Sequence, residues 1–377
     1  MSNHFNKVKY MKYKKIGSYS EQDVVFLLKD LSNLVKEQGN EEREGYIQGG
    51  KHYSEMIPIE HKPSKEYMNL FYDSLNSEKT KIARAVAKIS EVIFKKNGSK
   101  MVIVSLARAG TPAGILIKRY LEKKYSFNLP HYSVSIIRGR GIDENALLYI
   151  LDKNKDHILQ FIDGWTGKGA ILTELSKACN DFEKKYKISL DDSLAVIADP
   201  GHCTNLYGTR EDFLLPSACL NSTVSGLVSR TILRRDLMDE FDFHGVKYYK
   251  ELKNEDVSNL FINEIVEKFD NINLDIENIT NDKVTNLGMQ DVNNIKKEFG
   301  INDVNLIKPG VGETTRVLLR RIPWKILIKN KDNKDLKHIL LLAKEKKIEI
   351  INYPLMCYHC CGIIKPLRDI QKINLNF

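Results

Sequence analysis

The run Phe161-Ile-Asp-Gly-Trp-Thr-Gly-Lys-Gly-Ala170 carries the densest chemistry in the chain. An apolar stretch ends on an acid, Asp163, and a short loop, Thr166-Gly167-Lys168-Gly169, leads into the next expected helix. Glycines let backbone N–H groups approach a phosphate closely, and the positive end of a helix favours the anion. Thr166 adds a hydroxyl donor and Lys168 a charge. Asp163 is placed to accept hydrogen bonds from sugar hydroxyls of the same ligand. The run is not a P-loop, because the four-residue spacer before Gly-Lys is missing. The plain alternative is a tight strand-to-helix turn that uses glycine only for its geometry.

A second run, Val104-Ser-Leu-Ala-Arg-Ala-Gly-Thr-Pro-Ala113, also follows an apolar stretch and opens a helix. Ser105 and the backbone around Ala109 and Gly110 are candidates to cradle a second anion, with Arg108 chelating it through its planar fork. Two anion cradles and a sugar-binding acid on adjacent turns suit a pentose phosphorylated at both ends. In Ile137-Arg-Gly-Arg-Gly-Ile-Asp143, Arg138 and Arg140 sit on a Gly-rich turn. Such a loop could close over a leaving diphosphate and neutralise its charge.

The elements that must position these residues alternate. Met101–Ser105, His131–Ile137, Ile158–Ile162 and Ser193–Ala198 read as strands, and 111–124, 142–153 and 169–185 as helices. That order means βαβ units and a doubly wound parallel sheet, with ligands at the carboxyl ends of its strands. Upstream, Ser20-x-x-Asp23 with Val24, Leu27, Leu28, Leu31, Leu34 and Val35 predicts a capped helix, and Ser77–Lys96 a second one. Residues 251–282 read as a helix plus linker, with Leu260, Phe261, Ile265 and Phe269 on one face. After them comes a small second α/β unit.

At 377 residues, 42% hydrophobic and 28% charged, the chain is long enough for two or three cores, and disorder or low complexity is excluded for most of it. No stretch has the length of a membrane span, and MSNHFNKVKYMKYKK lacks the apolar core of a secretory signal. A cytoplasmic setting with six free thiols is therefore expected. Residues 283–377 hold 18 Lys+Arg against 9 Asp+Glu, which accounts for the whole net charge of +9. Such asymmetry points to a polyanion facing the last quarter of the chain, or to a solvated Lys-rich surface.

The Asp-Gly-Trp-Thr-Gly-Lys-Gly run resembles the phosphoribosyl-diphosphate (PRPP) loop of type I phosphoribosyltransferases, and Ser-x-x-Arg-x-Gly resembles their diphosphate loop. Gly17-Ser-Tyr-Ser20, His52-Tyr-Ser-Glu-Met56, Leu106–Pro112, His131–Ile137, Phe161–Gly169 and Leu215–Thr231 together resemble the StiP family. That family carries two labels, predicted phosphoribosyltransferase of tellurite-resistance and stress gene clusters, and cysteine protease. Lys308-Pro-Gly-Val-Gly-Glu-Thr-Thr-Arg316, Arg320-Arg-Ile-Pro-Trp324, Tyr353-Pro-Leu-Met356 and Cys360–Pro366 resemble the PELOTA-type RNA-binding domain of the ribosomal L7Ae-like class. The resemblance implies a tail (1–16), a phosphoribosyltransferase-like α/β domain (17–250), an acidic linker (251–282) and a PELOTA-like domain (283–377). It implies PRPP with Mg2+ as ligand, with Asp163, Arg108, Arg138 and Arg140 in catalysis. RNA rather than DNA would meet Lys308, Arg316, Arg320, Arg321 and Trp324, and no membrane is implied. Only one acid precedes the Thr-Gly here, where the type I enzymes usually place two.

A cysteine protease needs a thiolate, a histidine in reach and an oxyanion hole. Cys203 follows His202 directly, and adjacent residues rarely aim at each other. Cys219 with His131 or His202 across the fold is the other candidate. Cys357-Tyr-His-Cys-Cys361 offers one metal-ligand pair where zinc wants two. The Ser/Thr/Asn-rich stretch Leu215–Thr231 suits either an acceptor pocket or a capped helix start. A phosphoribosyltransferase is thus expected, with a cysteine protease or a non-catalytic RNA-binding stress protein as alternatives.

Overall fold

Continuous apolar runs such as Met101–Leu106 demand a sheet covered on both faces, and the computed structural model, which describes residues 11–48, 50–274 and 283–366, contains one. Its strands are β1 (Val25–Phe26), β2 (Met101–Ala107), β3 (His131–Ile137), β4 (Gly141–Ile142), β5 (Ile158–Trp165), β6 (Leu194–Ala198) and β7 (Leu206–Thr209). The order is β1-β3-β2-β5-β6-β7, parallel throughout, with β4 antiparallel against β3. Helices α1 (Lys65–Asn97), α2 (Gly110–Tyr125), α3 (Glu144–Lys153) and α4 (Ala170–Tyr186) cover it. Ile82, Val86, Ile89, Ile115 and Leu121 pack on one face, and Leu147, Ile150, Leu175 and Phe182 on the other. This is a mixed α/β fold with a mostly parallel central sheet.

Two expectations fail for physical reasons. Residues 20–35 are not a helix. Leu27 and Leu28 are both buried but lie in opposite apolar clusters, an alternation that only extended backbone produces. Ser20 Oγ accepts from Gln22 N at 3.2 Å, which closes a turn rather than capping a helix, and Leu34 is exposed. Helix α1 starts 12 residues before Ser77, because Ser64 Oγ caps it by accepting from Tyr67 N. In the acidic segment, α5 (Ser258–Val266) packs against α1 and α2. It buries Phe261 and Ile265 but leaves Leu260 exposed, and residues 275–282 of the expected linker lie outside the described residues.

The C-terminal unit has a four-stranded sheet in the order β8 (Ile307–Pro309), β11 (Cys360–Ile364), β9 (Pro323–Ile328), β10 (Glu349–Asn352). Helices α7 (Val311–Arg320) and α8 (Lys337–Glu345) cover one face, and α6 (Leu287–Glu298) the other. Cys360 and Cys361 belong to the central strand β11 and point into opposite clusters, so this end of the Cys357–Cys361 motif is a buried strand. No helix among the described residues is long and apolar enough to cross a membrane.

Candidate functional site

Strands β2, β3, β5 and β6 deliver Arg108, Arg138, Asp163 and Asp199 at their carboxyl ends. The first two loops are forced together. A Cβ on Gly110 would stand 2.5 Å from the Ile162 carbonyl, so only glycine lets the α2 N-terminus sit against β5. The Ala107–Arg108 peptide is cis. Arg108 donates from one terminal nitrogen to the Val228 carbonyl at 3.0 Å. Ala109 and Gly110 open α2, where the helix dipole is positive. Ser105 does not join them. It is fully buried and shares a 2.8 Å hydrogen bond with His131 Nε2, while His131 Nδ1 bonds the Asp23 carbonyl at 2.7 Å. Burial pushes His131 down to about 3, so this imidazole stays neutral.

Asp163 Oδ1 accepts from Gly164 N at 2.7 Å. Burial raises the carboxyl to about 7, partly opposed by that bond and by the Arg316 charge. The Thr166–Gly169 loop is held tightly. Thr166 donates its hydroxyl to Asp199, whose carboxylate also accepts from Cys203 N at 3.0 Å and Thr204 N at 2.9 Å and pairs with Arg210. Gly169 takes a left-handed φ of 78° at the start of α4.

The second sheet's domain docks on this loop. Lys168 Nζ donates to the carbonyls of Val304 at 2.5 Å and Ile307 at 3.1 Å, and Tyr358 Oη donates to the Gly167 carbonyl at 2.7 Å. Asp212 Oδ1 accepts from Val311 N and Oδ2 from His359 N, both at 2.8 Å, tying the α7 N-terminus to the first domain. Burial raises Asp212 to about 6. The Arg316 guanidinium lies 4.6 Å from the Trp165 ring centroid and also bonds Glu313 at 3.1 Å. Burial, then the charges of Lys308 and Arg138, lower Lys168 to about 8. A cavity of about 20 Å³, lined by Trp165, Thr166, Asp212, Pro309, Gly310 and Glu313 among others, remains at the seam. That is room for about one water.

Of the sequence-predicted residues, Arg108, Arg138, Asp163, Lys168, Lys308 and Arg316 converge on this seam. Arg138 donates to Asn305 Oδ1 at 3.1 Å across it. Arg140 is exposed and pairs with Glu55 instead. Lys308 and Arg316 face the first domain, while Arg321 is exposed at the end of α7 and Trp324 is half-buried in its own domain. The side chain of Arg320 lies outside the described residues. Asp199, Asp212 and Tyr358 hold the site together but carry no local sequence signal, since each reaches it through a residue distant in the chain, Thr166 for Asp199, Val311 and His359 for Asp212, and Gly167 for Tyr358.

The thiols sit in poor places for a nucleophile. Burial pushes Cys179, Cys203 and Cys361 up to about 12, and Cys357 and Cys360 up as well. Cys219 is fully buried, with its sulfur 4.0 Å from Ser74 Oγ. Cys203 donates weakly to the Gly167 carbonyl at 3.6 Å. His131, the distant base considered for Cys219, has both ring nitrogens engaged.

The family profile described as "Tellurite-like stress resistance cysteine protease StiP" matches residues 17–266, and that of the PELOTA RNA binding domain matches residues 286–366. A protein of Acinetobacter baylyi named "Cysteine protease StiP" is 31% identical over 371 residues, spanning 93% of this chain and 94% of that protein.

Proposed function

The chain belongs to the StiP family, and from that premise we propose that it is a phosphoribosyltransferase-like enzyme that takes PRPP and is linked to RNA through its C-terminal domain. One observation carries this reading. Cations of both domains face one another beside the carboxyl ends of parallel strands: Arg316 acts on Asp163 and on Arg108, and Arg138 on Lys168 and Lys308. A phosphorylated ligand is what such a field attracts.

The diphosphate end of PRPP fits the residues present. Arg108 and Arg138 would neutralise it, and Asp163 would accept from the ribose hydroxyls. Among the described residues no group of three His, Cys, Asp or Glu side chains could hold a metal ion, so Mg2+ would come bound to the ligand's own phosphate oxygens. The 5-phosphate end does not fit the docked arrangement, because the Lys168 ammonium already donates to the carbonyls of Val304 and Ile307 in the C-terminal domain. Calorimetry with PRPP, diphosphate and ribose 5-phosphate, each with Mg2+, tests the reading. Asp163→Ala should lower PRPP affinity about 10- to 200-fold, the worth of charged hydrogen bonds to the sugar. Wild-type protein that binds none of the three at millimolar concentration would sink it.

A thiol protease is the second reading, favoured by the relative's name and by the description of the matching family profile. It requires that Cys203→Ala or Cys219→Ala abolish peptide cleavage. On the phosphoribosyl reading, both variants keep PRPP binding within a few-fold.

For RNA, the PELOTA domain and the basic excess of residues 283–377 support binding. Arg321→Ala in the full chain should weaken structured RNA and flatten the log–log salt slope by about 0.7–0.9, one phosphate contact. A salt-independent interaction would contradict this.

A further inference from the structure

We infer that Arg108, Arg138 and Arg230 form a diphosphate-class anion site around the ring of Tyr53, with Arg230 the member that neither anion loop announces. The guanidinium of Arg230 lies 4.4 Å from the Tyr53 centroid and that of Arg138 lies 5.7 Å from it. Both lie within cation–π reach of the ring, which holds them near one another before any ligand arrives. Tyr53 Oη accepts from Arg138 N at 2.8 Å, and His52 Nε2 bonds the Arg138 carbonyl at 3.0 Å, so the His52-Tyr53 motif fixes the turn carrying Arg138. Arg108 joins them by donating to the Val228 carbonyl, two residues before Arg230. The segment bearing Arg230 is itself rigid, since Ser229 exchanges two 2.9 Å bonds with Lys247.

Charge balance is what sets these three apart. Arg119, Arg140, Arg210 and Arg316 each meet a carboxylate, Asp23, Glu55, Asp199 and Glu313 in turn. Among the described residues none lies within ion-pair distance of Arg108, Arg138 or Arg230. Buried Arg43 adds a fourth charge facing Arg230. Burial lowers Arg230 to about 10, and the charges of Arg43, Arg108 and Arg138 add to it while Tyr53 opposes them. The acid facing Arg108 is Glu60, whose carboxylate also accepts from Ser222 N at 3.2 Å. Arg108, Arg138 and Arg230, clustered and with no carboxylate at ion-pair distance among the described residues, are stabilised by an anion rich in acceptor oxygens, and forked guanidinium groups match phosphate geometry.

The identity of that anion as a diphosphate rests on the proposed function; the charge cluster does not. Calorimetry of the full chain with inorganic diphosphate and Mg2+ tests it, with PRPP and ribose 5-phosphate as separate arms. Arg230→Gln should weaken diphosphate about 10- to 100-fold, the worth of charge-assisted bonds. Arg230→Lys, which keeps the charge but not the fork, should lose less and serves if the glutamine variant folds poorly. Arg234→Gln, a surface pair with Asp236, should change nothing. Diphosphate binding lost in Arg230→Gln, in a protein that binds PRPP no more tightly than diphosphate, would keep the anion site and sink the PRPP reading. Wild-type protein that ignores diphosphate, or both Arg230 variants binding it like wild type, would overturn the site.

Discussion

Asp199→Ala should lower the unfolding free energy by about 3–5 kcal/mol, the cost of removing one partner from a buried ion pair. Asp199 is fully buried at the end of β6, and its carboxylate satisfies two backbone N–H groups, the Thr166 hydroxyl and the Arg210 guanidinium at once. Arg210 is poorly prepared for its loss. Its Nε and one terminal nitrogen are already buried without partners, and its guanidinium lies 3.6 Å from the Tyr207 ring centroid. Alanine would leave that cation uncompensated in apolar surroundings. Urea unfolding should show the loss as a lower midpoint with an unchanged slope. Adding Arg210→Met should recover part of it, because the orphaned charge goes too. A drop under about 1 kcal/mol, the range of exposed pairs, would mean that the network is not the anchor described. Any folded Asp199→Ala protein should also bind ribose 5-phosphate less well, since Thr166 loses its tether.

What the sequence revealed and what it hid divide by distance along the chain. Strands β2, β5 and β6 were legible because a parallel sheet covered on both faces needs unbroken apolar runs, and Met101–Leu106 is one. The same logic hid which face a polar residue takes. Ser105 lies on a strand buried on both sides, so nothing local showed that it turns toward His131 rather than toward the anion loop. Leu27, Leu28 and Leu31 fall at spacings that a helix and a two-faced extended segment both allow, and only their partners decide. Strand β11 was masked by its cysteines, which posed a question of metal ligation that the missing second pair answers against, while Cys360 and Cys361 in fact face opposite sides of a buried strand. At the site, Asp163 and Thr166–Gly169 announced themselves within one ten-residue run. Their supports did not. Thr166 is held from Asp199, 33 residues on, and the Gly167 carbonyl from Tyr358, 191 residues on. The basic excess of residues 283–377 suggested a polyanion, but not that Lys308 and Arg316 would face the first domain's own loops.

That docking makes the second large effect. Gly288→Ala should destabilise the protein by about 2–3 kcal/mol, although alanine is the better helix former by about 0.8–1 kcal/mol. Gly288 lies in the first turn of α6, and its N–H donates to the Gly201 carbonyl at 2.9 Å. An added Cβ would stand 1.9 Å from Tyr358 Oη, 2.8 Å from Gly201 Cα and 2.9 Å from the Gly167 carbonyl oxygen. Two of these obstacles are backbone, and the third is the end of a fully buried, rigid ring. Nothing there yields cheaply, so the two domains must part slightly and the Tyr358–Gly167 hydrogen bond must stretch. Gly45→Ala, in the helix Asn40–Gln48 with nothing within 4 Å, is the control and should be neutral or stabilising. Function should move in the opposite direction to stability. Lys168 is held by Val304 and Ile307 only while the domains are docked. Loosening them should free its ammonium and raise ribose 5-phosphate affinity several-fold in calorimetry, even as the melting temperature falls. A Gly288→Ala protein as stable as wild type would show that the domains do not interlock at this glycine. One that is destabilised yet binds the phosphate no better would show that docking and the phosphate loop do not compete.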